Sequence, residues 1–452
     1  MNYLLLGLLV FEVMFIYRFN GKNVISPSFI ACCGFVVSST VLVLAEGYFQ
    51  YELQLKTVVI ITSMVLFIFF GEMFSSKIRL MPLSNSANNS CGEMLKYEEI
   101  KISKTSIAFM FVFVSATGIF YILDVYKYSL TIGNITGNIF GMAKYTRFIG
   151  GYSSSILISQ SNVLSECMIY LCFFAFVYNL LINKRRKLYY LLPMVGFVFH
   201  ILANDGRTVV IKYFCICGII YFLVFNQKNN WKHGDNKKII RISITMVLLF
   251  LVLFRILGYR TGSSANNELW KNLAEYISSG LIGLDKFLIY GQEENILFGQ
   301  EVFKALYSTL RGFGFQIPMY DPNDVFFAYA GGSSNIYTGL KSYIKDFSLI
   351  GAYFSMFLWG ACNTALKKKI NKKGASLLNT VLLGLSYYPI AMISIAGATH
   401  VVLSMPTLYM IVYLIILSRL FMKKTRYTTQ VFHDNYSEKI MDNRITIQKQ
   451  GI

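Results

Sequence analysis

Long stretches almost without charged residues alternate along this chain with short clusters of lysine and arginine. We count eleven such stretches, at 2–16, 27–44, 57–74, 106–123, 163–182, 188–203, 209–225, 242–257, 347–366, 377–395 and 401–417. Most approach the roughly 20 residues that an α-helix needs to cross a hydrocarbon core about 30 Å thick. The pattern predicts an all-α, polytopic integral membrane protein with about 11 transmembrane helices.

Composition excludes an ordinary soluble enzyme. Of the 452 residues, 55% are hydrophobic and 14% are charged, whereas soluble domains carry roughly 25% charged residues. The formal net charge is +19. Because the basic residues fall next to the apolar stretches, we interpret this charge as an anchor to anionic lipid headgroups. Membrane lipids are therefore expected partners, and no nucleic acid is expected.

The distribution of lysine and arginine predicts the orientation, because basic residues concentrate in cytoplasmic loops. If the loop after the third stretch is cytoplasmic, the cytoplasmic segments hold 28 of the 42 basic residues. The reverse orientation would expose Lys184 to Lys187 and Lys367 to Lys373 on the outside. We therefore expect the N-terminus outside and the tail 421–452 in the cytoplasm.

Two predicted external loops are long, 124–162 with 39 residues and 258–346 with 89 residues. The second mixes many aromatic residues with glycine, asparagine and acidic residues, which favours a folded external cap over a disordered linker. Aromatic faces beside amides and carboxylates also suit sugar rings. The predicted organisation is helices 1–8 in 1–257, the large external loop in 258–346, helices 9–11 in 347–420, and the cytoplasmic tail 421–452.

Charged residues collect at the predicted external boundary of the membrane, where they are costly and are functional candidates by default. They include Asp124, Glu166, His200, Asp205, Arg207, Lys212, Arg255, Arg260 and His400. Arginine binds phosphate oxygens through two parallel hydrogen bonds, so a pair of arginines at headgroup depth suits a lipid diphosphate. A structural reading stays open, in which Arg255 and Arg260 extend to the interface and Asp205 pairs with Arg207. Gly206 allows a tight turn that would hold Asp205 and Arg207 rigidly.

The sequence lacks the motifs of several enzyme classes. No Gly-x-x-x-x-Gly-Lys-Ser/Thr phosphate loop and no His-Glu-x-x-His zinc motif is present. We therefore expect no nucleotide hydrolysis, no metal and no cofactor.

The layout resembles the repeat-unit polymerases of bacterial surface polysaccharides, the Wzy-type O-antigen and capsule polymerases. Members have eleven or twelve spans and a large external loop near the C-terminal third. The stretch from Tyr276 to Asp285 resembles a segment of that loop, and Asn335 to Thr338, followed by Tyr343, Asp346 and Gly351, is similar to the sequence that closes it. Arg207 matches an arginine at the external start of a mid-chain helix.

The resemblance implies a metal-independent glycosyltransferase of the bacterial inner membrane whose active side is periplasmic. Its substrate would be an oligosaccharide linked to a polyprenyl diphosphate, and its partners a chain-length co-polymerase and a flippase. It implies that Arg207 and Arg260, helped by Lys212 or Arg255, bind the diphosphate, and that Asp205 or Asp346 takes the acceptor proton. Asn335 and Tyr337 would orient sugar hydroxyls, and His400 is the alternative base.

Two other classes stay open. A flippase or other transporter for the same lipid-linked unit would also be polytopic and basic, although internal repeats and polar groups at mid-depth are typical of transporters. Related O-antigen ligases share the architecture and use a loop histidine before an asparagine. Here Ser333 and Ser334 precede Asn335, which argues against a ligase.

Overall fold

A computed structural model of the chain describes residues 1–77, 99–133, 152, 154–204, 207–229, 231, 241, 245, 269–291, 295–318 and 325–425. The helices are α1 Asn2–Phe19, α2 Pro27–Leu44, α3 Glu46–Phe49, α4 Leu55–Lys77, α5 Lys104–Thr131, α6 Ile156–Leu181, α7 Leu192–Gly196, α8 Val198–Asn204, α9 Arg207–Lys228, α10 Leu269–Tyr290, α11 Lys304–Gly312, α12 Gly339–Lys373, α13 Leu377–Met392, α14 Thr399–Val402 and α15 Met405–Phe421. A 3-10 turn, Leu188–Leu191, precedes α7.

Four short strands complete the fold. They are β1 Glu99–Lys101, β2 Phe327–Tyr329, β3 Gly332–Ser334 and β4 Lys423–Thr425. Both pairs, β1 with β4 and β2 with β3, are antiparallel. The protein is therefore mostly helical, with a hairpin inside the large loop.

Within the described residues, seven helices are long and apolar enough to cross a membrane, namely α1, α2, α4, α5, α6, α9 and α12. Shorter apolar helices cover Leu188–Ala203, Leu377–Met392 and Met405–Phe421. These elements coincide with ten of the predicted stretches, which supports an all-α membrane protein. Apart from residue 245, the stretch 242–257 lies outside the described residues, as does the tail from 426 onward, so the count of eleven stays a prediction.

Hydroxyl side chains begin several of the long helices. The Ser26 hydroxyl accepts a hydrogen bond from the Phe29 backbone N–H at 3.3 Å, and Pro27 is the first residue of α2. Ser103 begins α5 and Ser155 begins α6 in the same way. These side chains satisfy backbone N–H groups that have no partner within the helix, so each helix begins at a defined residue.

Buried side chains form two main clusters. One joins α1, α2 and α4 to α10 and to α12. The other joins β1, α5 and α6 to α9, α13 and α15. Because α13 packs against both α9 and α12, it holds the two clusters together.

The closest helix packing is between α4 and α12 and depends on glycine. A Cβ added to Gly71 would overlap the carbonyl oxygen of Phe357, and one added to Gly360 would overlap that of Ile68. Without a strong hydrophobic force between helices in lipid, close backbone contact supplies much of the packing energy. These two glycines therefore fix how α12 lies against the N-terminal helices.

The segments predicted to be cytoplasmic meet on one face of the bundle. Glu99 binds Arg185 at 2.7 Å and Lys187 at 2.5 Å. On the same face Lys367 donates to the Asn23 side chain at 3.1 Å. We call this the basic face.

Two apolar stretches differ from their predicted form. The helix over 347–366 begins eight residues earlier, at Gly339, and contains a break at Ser348, where φ is 60° and ψ is 178°. The stretch 188–203 is not one helix but a 3-10 turn followed by α7 and α8. Pro193 in α7 offers a local reason, since its ring restricts the preceding turn.

Candidate functional site

The large loop folds into a cap, which we define as residues 269–338 as far as they are described. The cap lies on the face opposite the basic face and docks on the spanning helices through small residues. A Cβ added to Gly280 would lie 3.2 Å from the Ser394 carbonyl oxygen. The backbone N–H of Gly339 donates to the Ile393 carbonyl at 2.7 Å. Main chains of the cap, α12 and the α13–α14 turn are therefore in direct contact.

The two stretches of the large loop that carry the resemblance, 276–285 and 335–338, contact each other. The backbone N–H of Thr338 donates to the Gly280 carbonyl at 3.3 Å. A Cβ added to Gly283 would meet a carbonyl oxygen of the other stretch at 2.6 Å. Their small residues therefore have a packing role, which accounts for the glycines without assigning them chemistry.

Asp285, which ends the first stretch, is fully buried and binds the turn before α4. Its carboxylate accepts hydrogen bonds from the Tyr51 hydroxyl at 2.7 Å, from the Gln54 backbone N–H at 3.0 Å and from the Thr57 hydroxyl. A buried carboxylate needs such donors to offset its lost hydration. Asp285 thus attaches α10 to the start of α4.

Asp346, a predicted base, holds the loop between α10 and α11. Its carboxylate accepts hydrogen bonds from the Asn295 side chain at 2.9 Å and from the backbone N–H groups of Glu301 at 3.0 Å and Val302 at 2.7 Å. These donors occupy both oxygens. The arrangement favours a positioning role for Asp346.

Two lysines of α12 share one carboxylate beside this loop. Lys341 lies 2.9 Å and Lys345 3.1 Å from Glu301. Lys341 is only 2% exposed. Burial alone would raise the pKa of Glu301, but the two ammonium groups outweigh it and lower that pKa. Glu301 is thus paired with both lysines.

Tyr337, one of the two predicted sugar-orienting residues, lies beside this trio. The Lys341 ammonium lies 4.7 Å from the centre of the Tyr337 ring, within the range of a cation–π contact. The Tyr337 hydroxyl donates to the Val325 carbonyl at 2.9 Å. Asn335 is exposed just after β3. Asn335 is therefore the more accessible of the two to a ligand.

His400, the alternative base, lies on α14 above the same part of α12. Its neighbour Thr399 shares a hydrogen bond of 2.5 Å with the Tyr343 hydroxyl, which also accepts one from the Trp359 ring N–H. Burial and the nearby Lys304 ammonium lower the pKa of His400 to about 3. The imidazole is therefore neutral at neutral pH, but a pKa this low makes it a weak proton acceptor.

The start of α9 approaches this region from the other side. Ile211 packs in one apolar cluster with Ala398 and Val401, the residues on either side of His400 in the α13–α14 turn. Arg207 is the first residue of α9. The elements that carry Arg207 and His400 are thus neighbours. Asp205, Arg255 and Arg260 lie outside the described residues.

Lys212 belongs to a different polar group. Its ammonium binds the Glu166 carboxylate at 2.9 Å and 3.0 Å, and the Tyr213 hydroxyl donates to the same carboxylate at 2.6 Å. Both charged side chains are 14% exposed. Lys212 therefore bridges α9 and α6 and compensates a carboxylate within the bundle.

The predicted residues thus fall into two groups. Asp346, Tyr337 and His400 lie around the first turns of α12, and Lys212 lies between α6 and α9. Sequence reasoning missed the lysine pair Lys341 and Lys345. Their spacing of four residues was a usable signal, because it puts both ammonium groups on one helix face.

No group of three histidine, cysteine, aspartate or glutamate side chains that could hold a metal ion occurs in the described part of the chain. No family model, no curated protein and no solved structure matches this chain. The proposed function therefore depends on the positions and contacts of this chain's own residues.

Proposed function

We propose that the protein is a polymerase of lipid-linked oligosaccharide repeat units at the outer face of a bacterial inner membrane. It would move a growing glycan from a polyprenyl diphosphate onto a sugar hydroxyl of a new lipid-linked unit. The bond from C1 to the diphosphate oxygen breaks, and a bond from C1 to the acceptor oxygen forms. The diphosphate leaves with the electron pair, and a base takes the acceptor proton.

One observation carries the proposal. Beneath a folded cap, Lys341 and Lys345 share the single carboxylate of Glu301, and the helix that Arg207 begins packs against the neighbouring turn. Cationic side chains near the end of membrane-spanning helices suit a lipid diphosphate. Fixed cations there would stabilise the charge that develops on the leaving diphosphate.

The proton acceptor would be Asp205 or His400. The oxygens of Asp346 already accept hydrogen bonds from the loop, so we assign it to positioning. His400 has a pKa of about 3 and is the weaker of the two bases, and Asp205 directly precedes Gly206 and Arg207 in the sequence. In this mechanism Arg207 and Arg260 bind the diphosphate, and Asn335 contacts a sugar.

The decisive experiment compares surface-glycan ladders of a deletion strain complemented with wild-type protein, Arg207→Ala or Arg419→Ala, at matched membrane expression. Arg419 is an exposed arginine in the last turn of α15, on the basic face. We expect wild type and Arg419→Ala to restore the ladder. We expect Arg207→Ala to leave a single repeat unit on the lipid A core.

Other outcomes would identify other functions. If the deletion removes even the single repeat unit, the missing step is membrane transfer or attachment, and a flippase or ligase replaces the polymerase. If Arg207→Ala restores a full ladder, the diphosphate role of Arg207 is wrong.

A further inference from the structure

Helix α11 of the cap has an apolar side and a polar side. Apolar side chains recur at spacings of four and three residues, at Leu306, Leu310 and Phe313. Polar side chains recur at the same spacings, at Lys304, Ser308 and Arg311. Because an α-helix has 3.6 residues per turn, the two sets lie on opposite sides of the helix. An amphipathic helix of this kind needs a surface on which to bury its apolar side.

The described part of the protein does not cover that apolar side. Leu306 is 41% exposed and Phe313 is 66% exposed, and no residue of α11 is buried. The helix packs against α14 and α15, and Lys304 of its polar side lies near His400 of α14. A helix of nine residues is marginal in water without packing of its apolar side. The partner of that side is therefore still to be identified.

The exposed apolar residues next to α11 are held in fixed positions. The Tyr307 hydroxyl donates to the Phe298 carbonyl at 2.5 Å, and Phe298 is 73% exposed. The backbone N–H of Phe315, which is 62% exposed, donates to the Leu310 carbonyl at 3.2 Å. Both residues thus belong to one folded unit with α11. We call the four exposed side chains of this unit the apolar edge, namely Phe298, Leu306, Phe313 and Phe315.

The apolar edge continues the exposed apolar surface of α12. The rings of Phe298 and Phe347 are 5.2 Å apart, and Phe347 begins the apolar stretch 347–366. One and two turns further along α12, Ile350 is 82% exposed and Phe354 is 60% exposed. Since α12 is long and apolar enough to cross a membrane, these exposed side chains face hydrocarbon. The apolar edge therefore lies at the level where α12 enters the bilayer.

We propose that α11 and its flanking residues lie in the membrane interface, with the apolar edge inserted into the lipid leaflet on the side of the cap. The partner of the apolar edge is thus a lipid surface. Helices with lysine or arginine on one side and leucine or phenylalanine on the other are typical of this position. Part of the cap is then a membrane-bound element and not a loop in water. The proposal does not depend on the proposed function.

The test uses the full-length protein, with one copy in each nanodisc of phosphatidylcholine and phosphatidylglycerol. Trifluoromethyl-phenylalanine replaces one residue at a time, and fluorine relaxation is measured with dissolved oxygen, which concentrates in the bilayer, and with a gadolinium chelate, which stays in water. Phe298 and Phe313 are the probe positions. Ser308 is the matched control, because it is exposed on the polar side of the same helix. Phe354 is the reference for a side chain in lipid.

We expect the ratio of the oxygen effect to the gadolinium effect to be about three-fold or more higher at Phe298 and Phe313 than at Ser308. The ratio at Phe313 should approach that at Phe354. Leu306→Asp places a carboxylate on the inserted side and should lower the ratio at Phe313 by about two-fold or more. Ser308→Asp changes the polar side and should leave the ratio at Phe313 unchanged.

Three results would overturn the proposal. A gadolinium effect at Phe313 as large as that at Ser308 would mean that the apolar edge faces water. Protection of Phe313 from both oxygen and gadolinium would mean that protein covers the edge. An unchanged ratio at Phe313 in a folded Leu306→Asp protein would mean that lipid does not hold α11 by its apolar side.

Discussion

Three buried carboxylates of this protein accept hydrogen bonds from backbone N–H groups and so fix the position of another segment. Asp285 binds the turn before α4, Asp346 binds the loop before α11, and Glu72 accepts from the Ser28 backbone N–H at the start of α2. Each is satisfied by donors from another segment of the chain.

The role of Asp346 can be separated from catalysis by two substitutions. Asp346→Ala leaves the N–H groups of Glu301 and Val302 without an acceptor, which should cost about 1–3 kcal/mol of stability. Asp346→Asn keeps one acceptor oxygen, so we expect a smaller loss and a visible glycan ladder. Thermal unfolding in detergent and the ladder gel measure these effects. An Asn variant that is folded but makes no ladder would restore Asp346 as the base.

His400 should make stability depend on pH. Its pKa in the folded protein is about 3, below the roughly 6.5 of an unperturbed histidine. The unfolded chain therefore binds the extra proton first, and the stability contributed by neutral His400 is complete above about pH 6.5 and is lost as the pH falls toward 3.

We expect His400→Gln to flatten this dependence. Unfolding temperatures at pH 7, 6, 5 and 4 should fall more steeply for wild type than for the variant. Parallel curves would mean that His400 is not held neutral by its surroundings.

At the scale of elements, the crossing of α4 and α12 determines where the first turns of α12 stand. Gly71 and Gly360 let the two backbones touch, and α12 continues from this crossing through the break at Ser348 to Lys341 and Lys345. Any change in the crossing therefore moves the basic trio relative to the cap.

Gly360→Ala should be strongly destabilising. The added Cβ would overlap the Ile68 carbonyl, and forcing atoms into a packed interface typically costs 1–3 kcal/mol. Gly218→Ala is the control, since no atom lies within 4 Å of its added Cβ in α9. We expect a lower melting temperature and yield for Gly360→Ala alone. Equal behaviour of the two variants would contradict the close crossing.

The sequence was most informative where the signal is local. The stretch 27–44 matches α2 residue for residue, because apolar length and a Ser-Pro start define that helix. The start of α12 was missed because Lys341, Lys345 and Asp346 made it resemble a loop. Their charges are compensated by Glu301 and by the loop backbone, forty residues away in the chain, and such pairing is not visible in a hydropathy pattern.

The sequence favoured a folded cap, but it did not predict which helices and strands the cap contains. Helix α11 and the hairpin of β2 and β3 lie among glycines and aromatics without a clear period. Their positions depend on contacts with other segments, such as the hydrogen bonds from Tyr48 and Tyr329 to Glu275. Of the predicted site, His400 and Tyr337 fall around one region, and the arginine pair stays a prediction.

At the scale of the whole molecule, the basic loops share one face and the cap occupies the other. The positive-inside rule predicts that the basic face is cytoplasmic. We expect green fluorescent protein joined after Thr425 to fluoresce, and alkaline phosphatase inserted at Gly331, in the hairpin turn, to be active. Alkaline phosphatase joined after Lys228, at the end of α9 on the basic face, should be inactive. Inverted signals would reverse the orientation and remove the outer-face reaction.

The pairing of β1 with β4 joins the start of α5 to the end of α15 on the basic face. Because β4 is synthesised long after β1, this pair forms only when translation has passed Thr425. Until then β1, the strand that contains Glu99, lacks its partner β4. A chain that ends between Phe421 and Lys423 would contain α1 to α15 but would lack the β1–β4 pair.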